Sequence, residues 1–167
     1  MENWNRPKLN IPKTKSEWVW DVFGYTSFVV SIIFLIALWK QLPDQVPAHF
    51  SFQGEVTRYG SKFELLILPG INLLLLLFLQ TLEKFPEVHN YPERFNESNA
   101  AQFYLLSRRM LNQIKNICVM IFAVIIFEST SIALGWTDGL GGWLLPIITI
   151  PLAVSIIWGL VKQRKIK

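Results

Sequence analysis

The chain is poor in the residues that build disulfide frameworks, metal centres and nucleophilic sites. Its single cysteine, Cys118, excludes an internal disulfide. Only two histidines occur, His49 and His89, and no zinc helix motif, phosphate loop or nucleophile–base pair accompanies them. We therefore expect no catalytic residue, no cofactor and no bound metal, and an enzyme is the least favoured class of protein.

Charge is also absent from long stretches of the sequence. Residues 22–39, 65–79 and 143–161 contain no charged side chain, and residues 117–136 contain only Glu128. The hydrocarbon core of a bilayer takes about 20 apolar residues in a helix. The stretches therefore predict an all-α membrane protein with four transmembrane helices, at about 20–39, 63–80, 117–136 and 143–161.

Tryptophan is abundant, and its placement supports this prediction. Six of the seven tryptophans lie near the ends of the apolar stretches, where amphipathic rings form the aromatic belts of membrane proteins. They are Trp18, Trp20, Trp39, Trp136, Trp143 and Trp158.

The basic residues are divided unevenly between the two sides of the predicted helices. Of the 16 lysines and arginines, 13 lie before the first helix, between the second and third, or after the fourth. The positive-inside rule then predicts that both termini are cytoplasmic. The net charge of +4 comes from basic residues that flank apolar stretches and do not form one basic stripe on a soluble face. We therefore predict a lipid bilayer as the partner of this chain, and no nucleic acid.

The flanking sequence divides the chain further. We predict a loosely ordered cytoplasmic segment over residues 1–13, a transmembrane domain over 14–162 and a basic cytoplasmic tail over 163–167. Thr14 and Glu17 match a capping box at the start of the first helix. Apolar residues recur at helical spacing after Asn96, a candidate N-cap, and predict an amphipathic helix at the inner membrane surface that can continue into the third transmembrane helix.

The loop between the first two helices is polar but patterned. Ala48, Phe50 and Phe52 alternate with polar residues, which is the period of a β-strand. Gln53-Gly54 can turn the chain, and residues 55–59 can return. The pattern predicts a short extracellular β-hairpin. Because an isolated hairpin is marginally stable in water, we expect an aromatic side chain of the hairpin, Phe50, Phe52 or Tyr59, to pack on the helices.

The same loop carries a recognisable string of residues: Leu42, Pro43, Asp44, Pro47, His49, Phe50, Gly54, Gly60, Ser61 and Lys62. This string resembles the domain-of-unknown-function family numbered 1648, over roughly residues 25–80. The family is found in bacterial membrane proteins, including those like the immunity and signalling protein SdpI. The resemblance implies a bacterial plasma-membrane protein with several helices, and SdpI-like proteins are linked to resistance against a secreted toxin and to capture of a repressor.

His49 is the obvious candidate ligand within this string. With Asp44 or Glu55 it could bind a metal such as zinc. The predicted topology, however, places His49 outside the cell and His89 inside, so the two cannot share a site within one chain. We favour a hydrogen bond within the hairpin as the role of His49.

Polar residues within the apolar stretches predict a second site. Glu128 lies eight residues from Trp136, which is about 12 Å along a helix. By the same counting, Ser31, Asn72 and Thr149 reach a similar depth, and the four residues predict a polar layer in the outer half of the bundle. Such a layer joins helices by hydrogen bonds, or it forms a ligand, proton or cation site centred on Glu128.

Arg108 and Arg109 are predicted to contact anionic headgroups or a cytoplasmic partner protein. Three functions follow from these features. The chain is an SdpI-like interaction protein that binds an extracellular peptide or a cytoplasmic regulator, a small transporter or ion-coupled carrier that uses Glu128, or a membrane enzyme. The oligomeric state is not predicted.

Overall fold

The computed structural model describes residues 6–167. Within these residues the chain forms four long helices and one two-stranded sheet, in the order α1 (Lys15–Leu38), β1 (Gln45–Phe50), β2 (Val56–Ser61), α2 (Ile67–Lys84), α3 (Ala100–Ala133) and α4 (Leu144–Arg164). Short 3₁₀ turns, Lys62–Leu66 and Pro86–Val88, precede and follow α2. All four helices are long and apolar enough to cross a membrane. The chain is a multi-pass integral membrane protein with a small hairpin, as the sequence predicts.

The helix ends follow from local sequence. Thr14 caps α1 in a complete capping box with Glu17. A 3₁₀ turn comes before α2, so Pro69 falls within the first turn of the α-helix, where its missing N–H costs no hydrogen bond. The N-cap of α3 is Asn99, and the prediction of Asn96 is wrong. The Asn96 side chain instead accepts the backbone N–H of Ser98.

Helix α3 is the centre of the bundle. Its 34 residues run without a break, so the predicted amphipathic helix and the third transmembrane helix are one element. It packs against α1, α2 and α4, whereas α1 and α2 barely touch each other. Because α3 is enclosed on three sides, it has no single solvent-facing side, and its polar residues Asn112, Lys115 and Asn116 are fully buried.

The bundle has two distinct ends. At the terminal end α1 begins, α2 ends, α3 begins and α4 ends. At the hairpin end lie the β-hairpin and the loop that joins α3 to α4. The outer faces of α1, α2 and α4 expose large apolar side chains, such as Ile36 at 69% and Leu74 at 69%. Apolar outer faces of this kind suit the hydrocarbon of a bilayer.

The hairpin packs on the bundle mainly through aliphatic residues. Val46 is fully buried and Leu42 is 4% exposed; both join a core cluster with Leu35 and Ile126. Of the three aromatic side chains expected to pack on the helices, Phe50 is half-buried beside Ile125 of α3, whereas Phe52 and Tyr59 are 84% and 60% exposed. The backbone bends at irregular pairing between β1 and β2, and such bulges turn side chains away from simple alternation.

Candidate functional site

The terminal end of the bundle contains a buried network of charged side chains, which we call the ionic network: Lys13, Glu17, Asp21, Glu83, Arg108, Asn112, Lys115 and Asn116. At its centre the Nζ of Lys115 donates to Asp21 Oδ1 at 2.9 Å and to Glu83 Oε2 at 2.7 Å. The lysine side chain is completely buried. It therefore joins α1, α2 and α3 at one point, and its charge is matched by carboxylates.

Amide groups complete the hydrogen bonding of these carboxylates. Asn112 Nδ2 donates to Asp21 at 2.8 Å and to Glu83 at 3.1 Å, and Asn116 Nδ2 donates to Asp21 at 3.0 Å. Helices α1 and α3 come close enough here that a Cβ added to Gly24 would overlap the Asn116 side chain. A side chain larger than hydrogen at residue 24 would separate the two helices.

A second ion pair anchors the segment that precedes α1. Arg108 Nε donates to Glu17 at 2.8 Å, and its Nη groups donate to the backbone carbonyls of Ile11 and Pro12. Residues 6–13 are thus held against the bundle, contrary to the prediction of a loose segment; residues 1–5 lie outside the described part. The Arg108 side chain is only 11% exposed. The prediction that it faces headgroups is not supported, because its donors are used within the protein.

Lys13 supplies the third positive charge of the ionic network. It donates to Asp21 and lies 3.3 Å from Glu83. Burial lowers the pKa of the Lys13 ammonium, but the hydrogen bond to Asp21 and the charge of Glu83 outweigh burial, and the net pKa is raised. Three basic and three acidic side chains therefore balance one another.

The surface beyond the ionic network is also ordered by specific contacts. Arg6 donates to the carbonyls of Glu87 and His89, and its guanidinium lies 5.4 Å from the ring centres of Tyr91 and Phe95. His89 bonds to Ser107 at 2.7 Å and to the carbonyl of Leu82 at 3.0 Å. Because the carbonyl can only accept, Nε2 carries the hydrogen of this imidazole. His89 thus has a structural role.

The hairpin end contains Glu128, and its depth differs from the sequence estimate. After α3 the chain reverses at Gly135, which has a φ of +72°, and the N–H of Trp136 donates back to Ser131 at 2.9 Å. The Trp136 ring lies 6.3 Å from Phe34, and Phe34 lies 4.7 Å from Phe127. Trp136 therefore packs back against α1 instead of continuing along the axis of α3, so a count of eight residues at 1.5 Å each overstates its distance from Glu128.

Glu128 is 9% exposed and makes no hydrogen bond or ion pair within residues 6–167. Gln113 of α3 bonds to Ser155 of α4, and the two helices run in opposite directions. Glu128 lies 15 residues beyond Gln113, which places it opposite residue 140, in the loop before α4. By this count Glu128 lies toward the hairpin end of α3, and its side chain is buried.

The other three residues of the predicted polar layer do not join Glu128. Asn72 donates to the carbonyl of Val119, nine residues before Glu128 on α3. Ser31 donates to Phe28 within its own helix. Thr149 donates to Leu145 and is exposed on the outer face of α4. The described residues therefore show no hydrogen bond among the four side chains.

The residues of the loop string shape the hairpin and fix it in place. Lys62 Nζ pairs with Asp44 at 3.0 Å, and Ser61 caps the turn that follows β2. A Cβ at Gly60 would overlap the Glu64 carboxylate, which pairs with Arg58 at 2.7 Å. His49 Nδ1 bonds to Thr57 across the hairpin at 2.7 Å, which agrees with its expected role.

The hairpin tip is attached to the α3–α4 loop. Gly54 has a φ of +88°, and its carbonyl accepts the N–H of Leu140 at 2.9 Å. A Cβ at Gly54 would overlap the carbonyl of Leu140. Pro43 and Phe50, the remaining members of the string, are exposed and half-buried. The string thus specifies a hairpin whose base is closed by Asp44 and Lys62 and whose tip is attached to Leu140.

The two strands have different surroundings. β1 packs on α3, and Val46 and Pro47 are buried there. Every residue of β2 is exposed or half-exposed. The outer edge of β2 therefore faces away from the helices, with Tyr59 beside it and Phe52 at the tip. The free edge of a sheet offers backbone donors and acceptors to an additional extended chain.

Comparison with known proteins agrees with the resemblance described above. Residues 26–73 match the family described as Domain of unknown function (DUF1648). A protein of Archaeoglobus fulgidus named only as an uncharacterized protein is 35% identical over 71 residues, which is 40% of this chain and 39% of the relative. The chain thus spans about two fifths of that relative's length. No solved structure matches.

Proposed function

We propose that this protein is an SdpI-like immunity or signalling protein that binds an extended peptide at the free edge of β2. The single observation that carries the proposal is the position of that edge: β1 lies against α3, whereas no residue of β2 is buried. Peptides commonly bind such an edge as an added strand, with backbone hydrogen bonds for affinity and side-chain contacts for specificity.

Two features support this mode of binding. The hairpin is ordered before binding, since its tip is attached through Gly54 to Leu140 and its base is closed by the Lys62–Asp44 ion pair, so little conformational freedom is lost on binding. Phe52 and Tyr59 expose large aromatic surfaces at the tip and on β2. Aromatic side chains of this kind are the usual energetic anchors of interfaces.

The proposal includes a location. The family segment and the distribution of basic residues support a bacterial plasma membrane, with both termini in the cytoplasm and the hairpin outside. The relative reported above is archaeal, so the bacterial assignment rests on the resemblance alone. A secreted peptide would then meet β2 without crossing the membrane.

A transporter centred on Glu128 is the weaker alternative. Its support was an ionisable group deep in the bilayer, which is costly and usually functional. Glu128 is buried, but Ser31, Asn72 and Thr149 bond to backbone carbonyls elsewhere, so these four residues do not form a polar site. A membrane enzyme is the third alternative. Residues 6–167 contain no group of three or more His, Cys, Asp or Glu side chains that could hold a metal ion, so a metal site does not support it.

The proposal is tested by survival of the source cells. Cells that lack this chain are exposed to spent medium from parental cells and complemented with variants at equal membrane abundance. We expect wild type and Glu128→Gln to protect, and the double variant Phe52→Ser/Tyr59→Ser to fail. Equal protection by both variants, or no need for the chain, would contradict the proposal; the reverse pattern would favour transport.

A further inference from the structure

Helices α1 and α4 both pack on α3, and an open cavity remains between them at the terminal end. Its volume is about 330 Å³, and it is lined by Trp20, Gln113, Ile117, Pro151, Val154, Ser155 and Trp158. Gln113 and Ser155 bond to each other at 3.1 Å, so their polar groups already have a partner. The remaining lining is apolar and opens to the lipid-facing side of the bundle.

Arg109 lies beside this cavity without an acceptor. Its guanidinium is 5.8 Å from the ring centre of Trp158, which lines the cavity. Its Nε is shielded from solvent and has no hydrogen-bond partner, and no ion pair involves this residue within the described chain. The adjacent Arg108 uses its donors on Glu17 and two carbonyls. Arg109 is therefore a cation beside the cavity that forms no ion pair with any described residue.

We infer that this cavity binds one phospholipid, with the phosphate on Arg109 and an acyl chain between Trp20 and Trp158. The chemistry is complementary, because a guanidinium matches the geometry of phosphate oxygens. The depth also fits, since tryptophans mark the headgroup level and the apolar cavity continues from there toward the bilayer core.

The lining favours a lipid over another transmembrane helix. Helices approach closely in membranes where small residues form the contact surface. Here the walls are two tryptophans and branched apolar side chains, and Ser155 is occupied by Gln113. A flexible acyl chain can fill an irregular cavity between such side chains, whereas a helix backbone cannot come near.

The test uses the purified full chain in detergent, with dioleoyl phosphatidylglycerol and dioleoyl phosphatidylcholine as probes. Native mass spectrometry counts lipids that remain bound as lipid concentration is lowered. We expect one tightly held lipid per wild-type chain, and binding of phosphatidylglycerol about fivefold weaker in Arg109→Gln, the factor that corresponds to about 1 kcal/mol per basic residue at such a surface. Arg164→Gln, a charge-matched control at the exposed end of α4, should leave binding unchanged.

A cavity-filling variant tests the acyl-chain position independently of charge. Val154→Trp should abolish the tightly held lipid of either headgroup, while Ile157→Trp, which lies on α4 outside the cavity and is 60% exposed, should not. The inference is wrong if Val154→Trp retains the tightly held lipid. It is also wrong if this variant leaves lipid binding intact and instead disrupts an association between two copies of the chain. Equal effects of Arg109→Gln and Arg164→Gln would also overturn it. None of these outcomes bears on the hairpin proposal.

Discussion

Lys115 and Glu83 form a 2.7 Å ion pair in which the lysine side chain is fully buried. The residues lie 32 positions apart, on α3 and α2, and the same ammonium reaches Asp21 on α1. Removing one partner of a buried pair leaves an uncompensated charge, and the cost of that charge exceeds the net worth of the pair. The ionic network is therefore sensitive to single substitutions.

Lys115→Met should destabilise the protein by about 3–5 kcal/mol, because Asp21 and Glu83 would share only Lys13. Unfolding in detergent measures the loss, and Lys84→Met, an exposed neighbour of Glu83, is the matched control. The double variant Lys115→Met/Glu83→Leu restores charge balance and should recover part of the stability. Equal stability of Lys115→Met and Lys84→Met would show that the network is not a stabilising unit.

The attachment of the hairpin depends on Gly54. Gly54→Ala forces a side chain into a left-handed conformation and against the carbonyl of Leu140. We expect the tip to detach, at a cost of about 1–3 kcal/mol, and β1–β2 to become accessible to protease while the helices stay folded. Gly142→Ala lies in the α3–α4 loop with open space around it and should change nothing. Equal protease resistance of the two variants would argue against the attachment.

The sequence was sufficient for the helices and the hairpin because each depends on local signals. Uncharged runs define the helices, and strand alternation with Gln53-Gly54 defines the hairpin. The docking residues of the hairpin were not predictable, since irregular pairing of β1 with β2 changes which side chains face the bundle. The level of Glu128 depended on the fold-back at Gly135, which counting residues along a straight helix ignores.

The ionic network was missed although a signal for it exists. Asp21, Glu83 and Lys115 each stand within a few residues of an apolar run, on the side of the membrane where the termini lie. Lys115 lies just before the third apolar run, and Glu17 both caps α1 and binds Arg108. Opposite charges at the same end of several predicted spans indicate a buried ionic cluster.

Tyr91 gives the protein a pH dependence in alkali. Burial raises its pKa from 10.0 to about 12, and its hydroxyl donates to Pro86 at 2.6 Å. Between these values the unfolded chain has lost a proton that the folded chain keeps, so stability falls as pH rises through this window. The difference in tyrosinate absorbance between wild type and Tyr91→Phe reports on Tyr91 alone. Its titration midpoint should lie near pH 12 in the folded protein and near pH 10 after denaturation. The same midpoint in both states would contradict the burial argument.

The orientation of the chain decides whether a secreted peptide can reach β2, and cysteine labelling measures it most directly. In a Cys118→Ser background, single cysteines replace Gln53 at the exposed hairpin tip or Lys165 in the tail. A membrane-impermeant maleimide should label the cysteine at 53 in intact cells and the cysteine at 165 only after the membrane is opened. Labelling of both in intact cells, or of 165 alone, would contradict the account.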